Sequence, residues 1–111
     1  MEHAEPVRFE GGDFYAPPEP LPEGEPGTLL RYEPLEGESL EGGTVWRVMY
    51  RSESLQGEPI AVTGIVVVPT APAPPEGRRL VSVAHWSVGI ADECAPSRDP
   101  NAAGLPLTTP F

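Results

Sequence analysis

The chain has 111 residues, enough for one small domain, and a formal net charge of −10, with 17 Asp and Glu against 7 Lys and Arg. Such an acidic chain is repelled by phosphate backbones, so the composition argues against nucleic acid as a partner. No apolar run approaches the ~18 residues of a membrane span, and the N-terminus lacks the basic and apolar regions of a signal peptide. The sequence as written therefore predicts a cytoplasmic protein without a transmembrane segment.

A proline- and glutamate-rich segment makes up residues 1–43. The stretch "APPEPLPEGEPG", residues 16–27, has no periodic apolar face, and each proline fixes its own φ. We therefore predict an extended, polyproline-like arm here. The apolar residues that can pin this arm to a folded body are Phe14, Tyr15, Leu29, Leu30, Tyr32 and Leu35.

Two β-strands are predicted next in the chain. Residues 44–52, "TVWRVMYRS", alternate with a period of two, and residues 60–68, "IAVTGIVVV", are apolar and β-branched. Gly57 and Pro59 mark a turn between them, so the pair is expected to form an antiparallel hairpin. The alternation predicts one face with Val45, Arg47, Met49 and Arg51 and the other with Trp46, Val48 and Tyr50.

A third strand is predicted over residues 79–84, "RLVSVA", which are apolar from Leu80 onward except for Ser82. Such a strand is usually covered on both faces, as in a parallel α/β sheet. No amphipathic helix of ten or more residues occurs to cover it. The predicted unit over residues 44–111 is therefore β-rich, with little helix, and lacks covering elements.

The segment after this strand, His85-Trp86-Ser87-Val88-Gly89, allows three interpretations. In a nucleophile elbow, G-x-S-x-G, Ser87 would attack the substrate, but His85 stands where the tight turn needs a very small residue, and no His follows it. In an oxyanion-hole loop the working groups are backbone N–H donors, which demand little of the side chains. The third interpretation is a plain strand-end loop with a packed histidine.

The sequence offers few residues for a metal site or for a disulfide. There are two histidines and one cysteine without paired spacing, whereas zinc needs three or four convergent ligands, so no metal site is predicted. Cys94 cannot form an internal disulfide. It is a buried thiol, half of a bridge whose partner is missing, or a nucleophile.

Several segments together resemble the N-terminal part of the secretory lipase family of α/β-hydrolases. They occur in the family's order and spacing and cover most of residues 14–107, and the first and last are the most specific. The matching segments are "FYAPPEPLPEGEPGTLLRYEPL" (Phe14–Leu35), "WRVMYRSES" (Trp46–Ser54), "PIAVTGIVVVP" (Pro59–Pro69) and "AHWSVGIADECAPS" (Ala84–Ser97).

The resemblance implies an α/β fold, here incomplete, with a mixed sheet whose first two strands form a hairpin and whose third leads into the oxyanion loop. It implies hydrolysis of carboxylic esters, typically acylglycerols or other lipid esters, by a Ser-Asp-His triad without a cofactor. The family's loop pattern AHG-T-T-G falls on residues 84–89, so the oxyanion donor would be the backbone N–H of Ser87 or Trp86, with His85 and Gly89 supporting the loop. Cys94 falls on a family cysteine that pairs further along the chain, and the family is often secreted.

Two departures from the family pattern stand out. Trp86 replaces a small Gly, and an indole there would fill the acyl pocket or shift the loop. The family's nucleophile elbow, acid and base lie beyond Phe111, which also accounts for the missing helices and the unpaired Cys94. We therefore expect an N-terminal fragment of an ester hydrolase, inactive alone and with a lipid-ester substrate only when completed by downstream sequence. The alternative is a non-catalytic β-rich interaction module.

Overall fold

The computed structural model describes residues 6–35, 42–82 and 91–98. Within them the chain forms one mixed four-stranded sheet in the order β1-β2-β3-β4. The first pair of strands is parallel and the other two pairs are antiparallel. The strands are β1 (Val7–Arg8), β2 (Leu29–Pro34), β3 (Gly43–Glu53) and β4 (Pro59–Pro69), followed by two 3₁₀ turns at Asp92–Cys94 and Pro96–Arg98. The predicted β-rich character with little helix is confirmed for these residues.

The hairpin predicted over residues 44–52 and 60–68 is confirmed as β3 and β4. Its ladder runs without a register shift from Gly43 opposite Pro69 to Glu53 opposite Pro59. At the turn, the Gly57 amide donates to the Ser54 carbonyl at 2.9 Å, and Gly57 has φ of 80°. A left-handed residue after a tight turn closes a three-residue hairpin loop, and glycine takes that conformation without steric cost.

The predicted N-terminal arm contributes two strands to the sheet. The longer one, β2, pairs antiparallel with β3, and its register shifts between Leu29 and Arg31. This irregularity lets Leu30 turn into the core, where it is 6% exposed. Part of the predicted arm is thus hydrogen-bonded into the sheet, whereas residues 16–27 contain bends and a turn and form no strand.

The core lies on one face of the sheet, which we call the inner face. Of the two faces predicted from the alternation of β3, the buried one is that of Val45 and Met49, each 2% exposed. Phe14, from the arm, packs with Leu30 and Met49 in the central cluster. Half-buried side chains around this cluster are Phe9, Tyr15, Leu21 and Ala61. The core is small, so the free energy of unfolding should lie toward the low end for domains.

The strand predicted over residues 79–84 is wrong for the part that the structure describes. Residues 79–82 form no strand, and the side chains of Leu80 and Val81 are 97% and 68% exposed. An apolar run forms a strand only where a neighbouring strand pairs with its backbone and another layer buries its side chains. No described element does either for residues 79–82. Residues 83 and 84 lie outside the described residues.

Candidate functional site

The residues predicted to form the oxyanion loop all lie within residues 83–90, outside the described residues. They are His85, Trp86, Ser87 and Gly89. What the structure does place is the chain that follows this loop. Residues 91–98 form the two 3₁₀ turns, and they are fastened to the inner face of the sheet.

Ser97, which is 3% exposed, makes the central contacts between residues 91–98 and the sheet. Its Oγ lies 2.7 Å from the Tyr15 hydroxyl and 2.9 Å from Thr63 Oγ1. Tyr15 belongs to the N-terminal arm and Thr63 to β4, so one hydroxyl group ties together three parts of the chain. Buried polar groups need such partners, and no described buried side-chain N or O atom lacks one.

Arg47, in the middle of β3, makes the second attachment. Its Nε donates to the Ser97 carbonyl at 2.9 Å, and its Nη1 donates to Glu33 Oε1 at 2.8 Å. The guanidinium also lies over the rings of Phe14 and Tyr15, at 5.7 and 5.5 Å from their centroids. A charge on the inner face is therefore paired with a carboxylate and packed between aromatic rings, which offsets the cost of its burial.

The chemistry available to this cluster is structural. Among the described residues, the Ser97 hydroxyl contacts two other hydroxyls and no imidazole, amine or carboxylate. A serine needs an adjacent base to become a nucleophile, and the two groups that contact Ser97 Oγ are hydroxyls. Within the described residues, Ser97 therefore acts as the attachment point of residues 91–98.

An open cleft of about 320 Å³ lies beside this cluster. It is lined by Tyr15, Ala91, Ala95 and Arg98. The Arg98 guanidinium stacks on the Tyr15 ring at 3.8 Å from its centroid, so its face is already occupied. The volume is at the small end for ligand pockets, and the lining offers one charged group. The cleft is best described as the outer surface of the attachment.

Cys94 lies in the first 3₁₀ turn, half-buried and with a free thiol. Its backbone N–H donates to the Ala91 carbonyl at 2.9 Å, which closes that turn. Within residues 6–35, 42–82 and 91–98, no group of three His, Cys, Asp or Glu side chains converges on a metal position. The described part of the chain also contains no helix long and apolar enough to cross a membrane.

Comparisons with protein-family models, curated proteins and solved structures found no match to this chain.

The sequence-based reasoning did not find the attachment cluster. Tyr15 and Ser97 are 82 positions apart, and no local pattern relates them. Arg47 offered a usable signal, because it lies between two apolar residues, Val45 and Met49, on one face of the predicted strand. A charged residue at such a position needs a buried partner, which predicts an ion pair even though it does not identify Glu33.

Proposed function

We propose that this chain is the N-terminal part of a secretory-lipase-like ester hydrolase and that it contributes the oxyanion loop. The observation that carries the proposal is the attachment of residues 91–98 to the inner face of the sheet. The predicted loop, residues 84–89, precedes this segment, which Ser97 attaches to the sheet. An oxyanion hole works only when its N–H donors are held in position before the reaction, and an attached segment a few residues after the loop supports that requirement.

In the proposed mechanism a serine from the downstream part of the hydrolase attacks the ester carbonyl carbon. The carbonyl oxygen becomes an alkoxide, which accepts hydrogen bonds from the backbone N–H of Ser87 or Trp86. His85 and Gly89 support the loop. The acid and the base of the triad also come from downstream sequence, and the reaction needs no cofactor. The Trp86 indole, in place of a small residue, would narrow the acyl side of the site.

The first experiment measures hydrolysis of a p-nitrophenyl ester of a short-chain acid by the purified 111-residue chain. We expect no turnover above buffer, because no histidine follows His85 to serve as base. Turnover that is abolished by Ser87→Ala would contradict the proposal and restore the nucleophile-elbow interpretation.

The second experiment uses the DNA beyond the codon for Phe111. The proposal expects a reading frame there with G-x-S-x-G followed by Asp and His. In a protein that joins both parts, Ser87→Pro removes the backbone N–H and should lower kcat about 10²- to 10³-fold if Ser87 is the donor. Ser87→Ala keeps that N–H and is the matched control, with kcat expected within about threefold of the parent.

A non-catalytic interaction module is the second candidate, and exposed apolar residues on the sheet favour it. Ile60, Val66 and Val68 of β4 are 41%, 44% and 38% exposed, on the face opposite to the core. A module predicts a cooperative thermal unfolding transition and a specific partner, whereas an isolated hydrolase fragment predicts loose folding or aggregation. A thermal unfolding scan by circular dichroism separates the two.

A further inference from the structure

The outer edge of β4 presents a row of backbone hydrogen-bonding groups. At either end of the hairpin, the Glu58 carbonyl accepts from Ser54 and the Thr70 amide donates to the Gly42 carbonyl, so even-numbered residues of this strand face β3. In an antiparallel ladder alternate residues face opposite sides. The odd-numbered residues of β4 therefore direct their N–H and C=O groups outward, where no described strand pairs with them. The outward N–H donors belong to Ala61, Thr63, Ile65 and Val67.

The two prolines that bound this strand also fall in the outward set. Pro59 and Pro69 are odd-numbered, so their lack of an N–H breaks no hydrogen bond to β3. They lie five residues on either side of Gly64, and the four outward donors lie between them. The edge is thus symmetric about Gly64 in its hydrogen-bonding groups.

We propose that two copies of this chain associate by antiparallel pairing of their β4 edges, with a two-fold axis at Gly64. In this register Ala61 of one copy exchanges two hydrogen bonds with Val67 of the other, and Thr63 does so with Ile65. All four outward N–H groups of each copy find a carbonyl, and the prolines face each other at both ends. Sheet-edge pairing of this kind is a common mode of protein association.

The exposed apolar side chains support this register. Ile60 of one copy would lie opposite Val68 of the other, and Val62 opposite Val66, in the closely spaced non-hydrogen-bonded pairs of the ladder. Three of these four residues are the exposed apolar residues of the outer face. Pairing would cover apolar side chains that the described part of the chain leaves open to solvent.

The charges at the two ends of β4 are complementary. Glu58, at the N-terminal end, is exposed. Near the C-terminal end, Arg78 donates to the carbonyls of Pro69 and Ala71 at 3.3 and 2.6 Å. Antiparallel pairing brings the acidic end of one copy to the basic end of the other, which favours a second copy over an unrelated strand. The net charge of −10 on each chain opposes association, so salt near 0.15 M should favour the dimer by screening.

The test uses variants at Gly64, whose partner across the axis would be Gly64 of the second copy. A Cβ at this position makes only ordinary van der Waals contacts in the single chain, 3.7 Å from Tyr50 Cε1 and 3.9 Å from Val48 Cγ2. Gly64→Lys or Gly64→Glu would place like charges directly opposite in the dimer and should raise its Kd about tenfold or more. An equimolar mixture of the two variants should restore dimers, because the charges across the axis are then opposite.

Sedimentation velocity of the 111-residue chain at about 100 μM and about 0.15 M salt measures the mass, which is 11.9 kDa for one copy. We expect twice this mass for the parent, a lower mass for each variant alone and recovery for the mixture. Thr44→Lys places a charge on an exposed position of β3 and is the control, expected to dimerise like the parent. A monomeric parent, or Gly64 variants that dimerise equally well, would overturn the proposal. The ester-hydrolase proposal is tested separately, by turnover and not by mass.

Discussion

Replacement of Arg47 by Met tests whether residues 91–98 are fastened to the sheet as described. The methionine keeps an apolar stem against Phe14 and Tyr15 but removes the charge and both hydrogen bonds. Glu33 loses its ion-pair partner, and the Ser97 carbonyl loses its donor. The substitution therefore isolates the polar part of the attachment from the packing.

The magnitude follows from three contributions. The hydrogen bond from the guanidinium to the Ser97 carbonyl is worth about 1.5–3 kcal/mol, because the donor is charged. Contacts with the two rings contribute about 0.5–1 kcal/mol each. The side chains of Arg47 and Glu33 are 17% and 21% exposed, and the Glu33 carboxylate can regain water once unpaired, so loss of the ion pair costs about 1 kcal/mol. These contributions are not additive, and we expect a loss of about 3 kcal/mol in the free energy of unfolding.

Urea unfolding followed by circular dichroism gives this free energy, and hydrogen exchange at residues 91–98 reports the attachment itself. Arg47→Lys is the matched control, because one ammonium keeps the charge but cannot bond Ser97 and Glu33 with the same fork geometry. We expect the lysine variant to lose about half as much as the methionine variant. A methionine variant within about 0.5 kcal/mol of the parent, with unchanged exchange at residues 91–98, would refute the reasoning.

Three further variants test the core, the strand orientation and the hydroxyl cluster by urea unfolding. Met49→Ala should lower the free energy of unfolding by about 2–5 kcal/mol, since the side chain is fully buried; a loss below about 1 kcal/mol would mean that the core lies elsewhere. Val62→Pro removes an N–H that faces β3 and should cost about 3 kcal/mol or more, whereas Ala61→Pro removes an outward N–H and should cost clearly less in dilute protein; equal losses would contradict the assigned edge. Ser97→Ala should cost about 1–3 kcal/mol by leaving two hydroxyls without their shared partner, and an unchanged midpoint would show the cluster to be unimportant.

The hairpin was predictable because its signals are local. β3 alternates over nine residues, and Gly57 lies where the turn needs a left-handed residue. The alternation separated the two faces of β3 but did not identify the buried one, because Trp46, Val48 and Tyr50 make the opposite face the more apolar. In the structure the buried face is the one with Val45 and Met49. The alternation of residues and the glycine of the turn both favour a hairpin, and the antiparallel ladder of β3 and β4 follows from the two together.

The strand β2 was not predictable in the same way. It is six residues long, follows a proline-rich stretch and contains a register shift that breaks the period of two at Leu30. Its pairing depends on β3, which comes later in the chain. The cluster around Ser97 was unpredictable for the same reason, because its members come together only when the sheet has formed. The strand predicted at residues 79–84 is absent over residues 79–82, where local composition favoured it. Local composition was misleading here because no described strand lies beside these residues to pair with them.

The bond between the Tyr15 and Ser97 hydroxyls closes a loop of 82 residues, whereas the hairpin closes between Ser54 and Glu58. The entropy of loop closure grows with loop length, and contacts distant in sequence form late in folding. We therefore expect the β3–β4 hairpin to acquire hydrogen-exchange protection first and the attachment of residues 91–98 last. During synthesis, the N-terminal arm must wait until residue 97 has been made before Tyr15 meets its partner. The segment that follows the proposed oxyanion loop would then take its position only after the hairpin has formed.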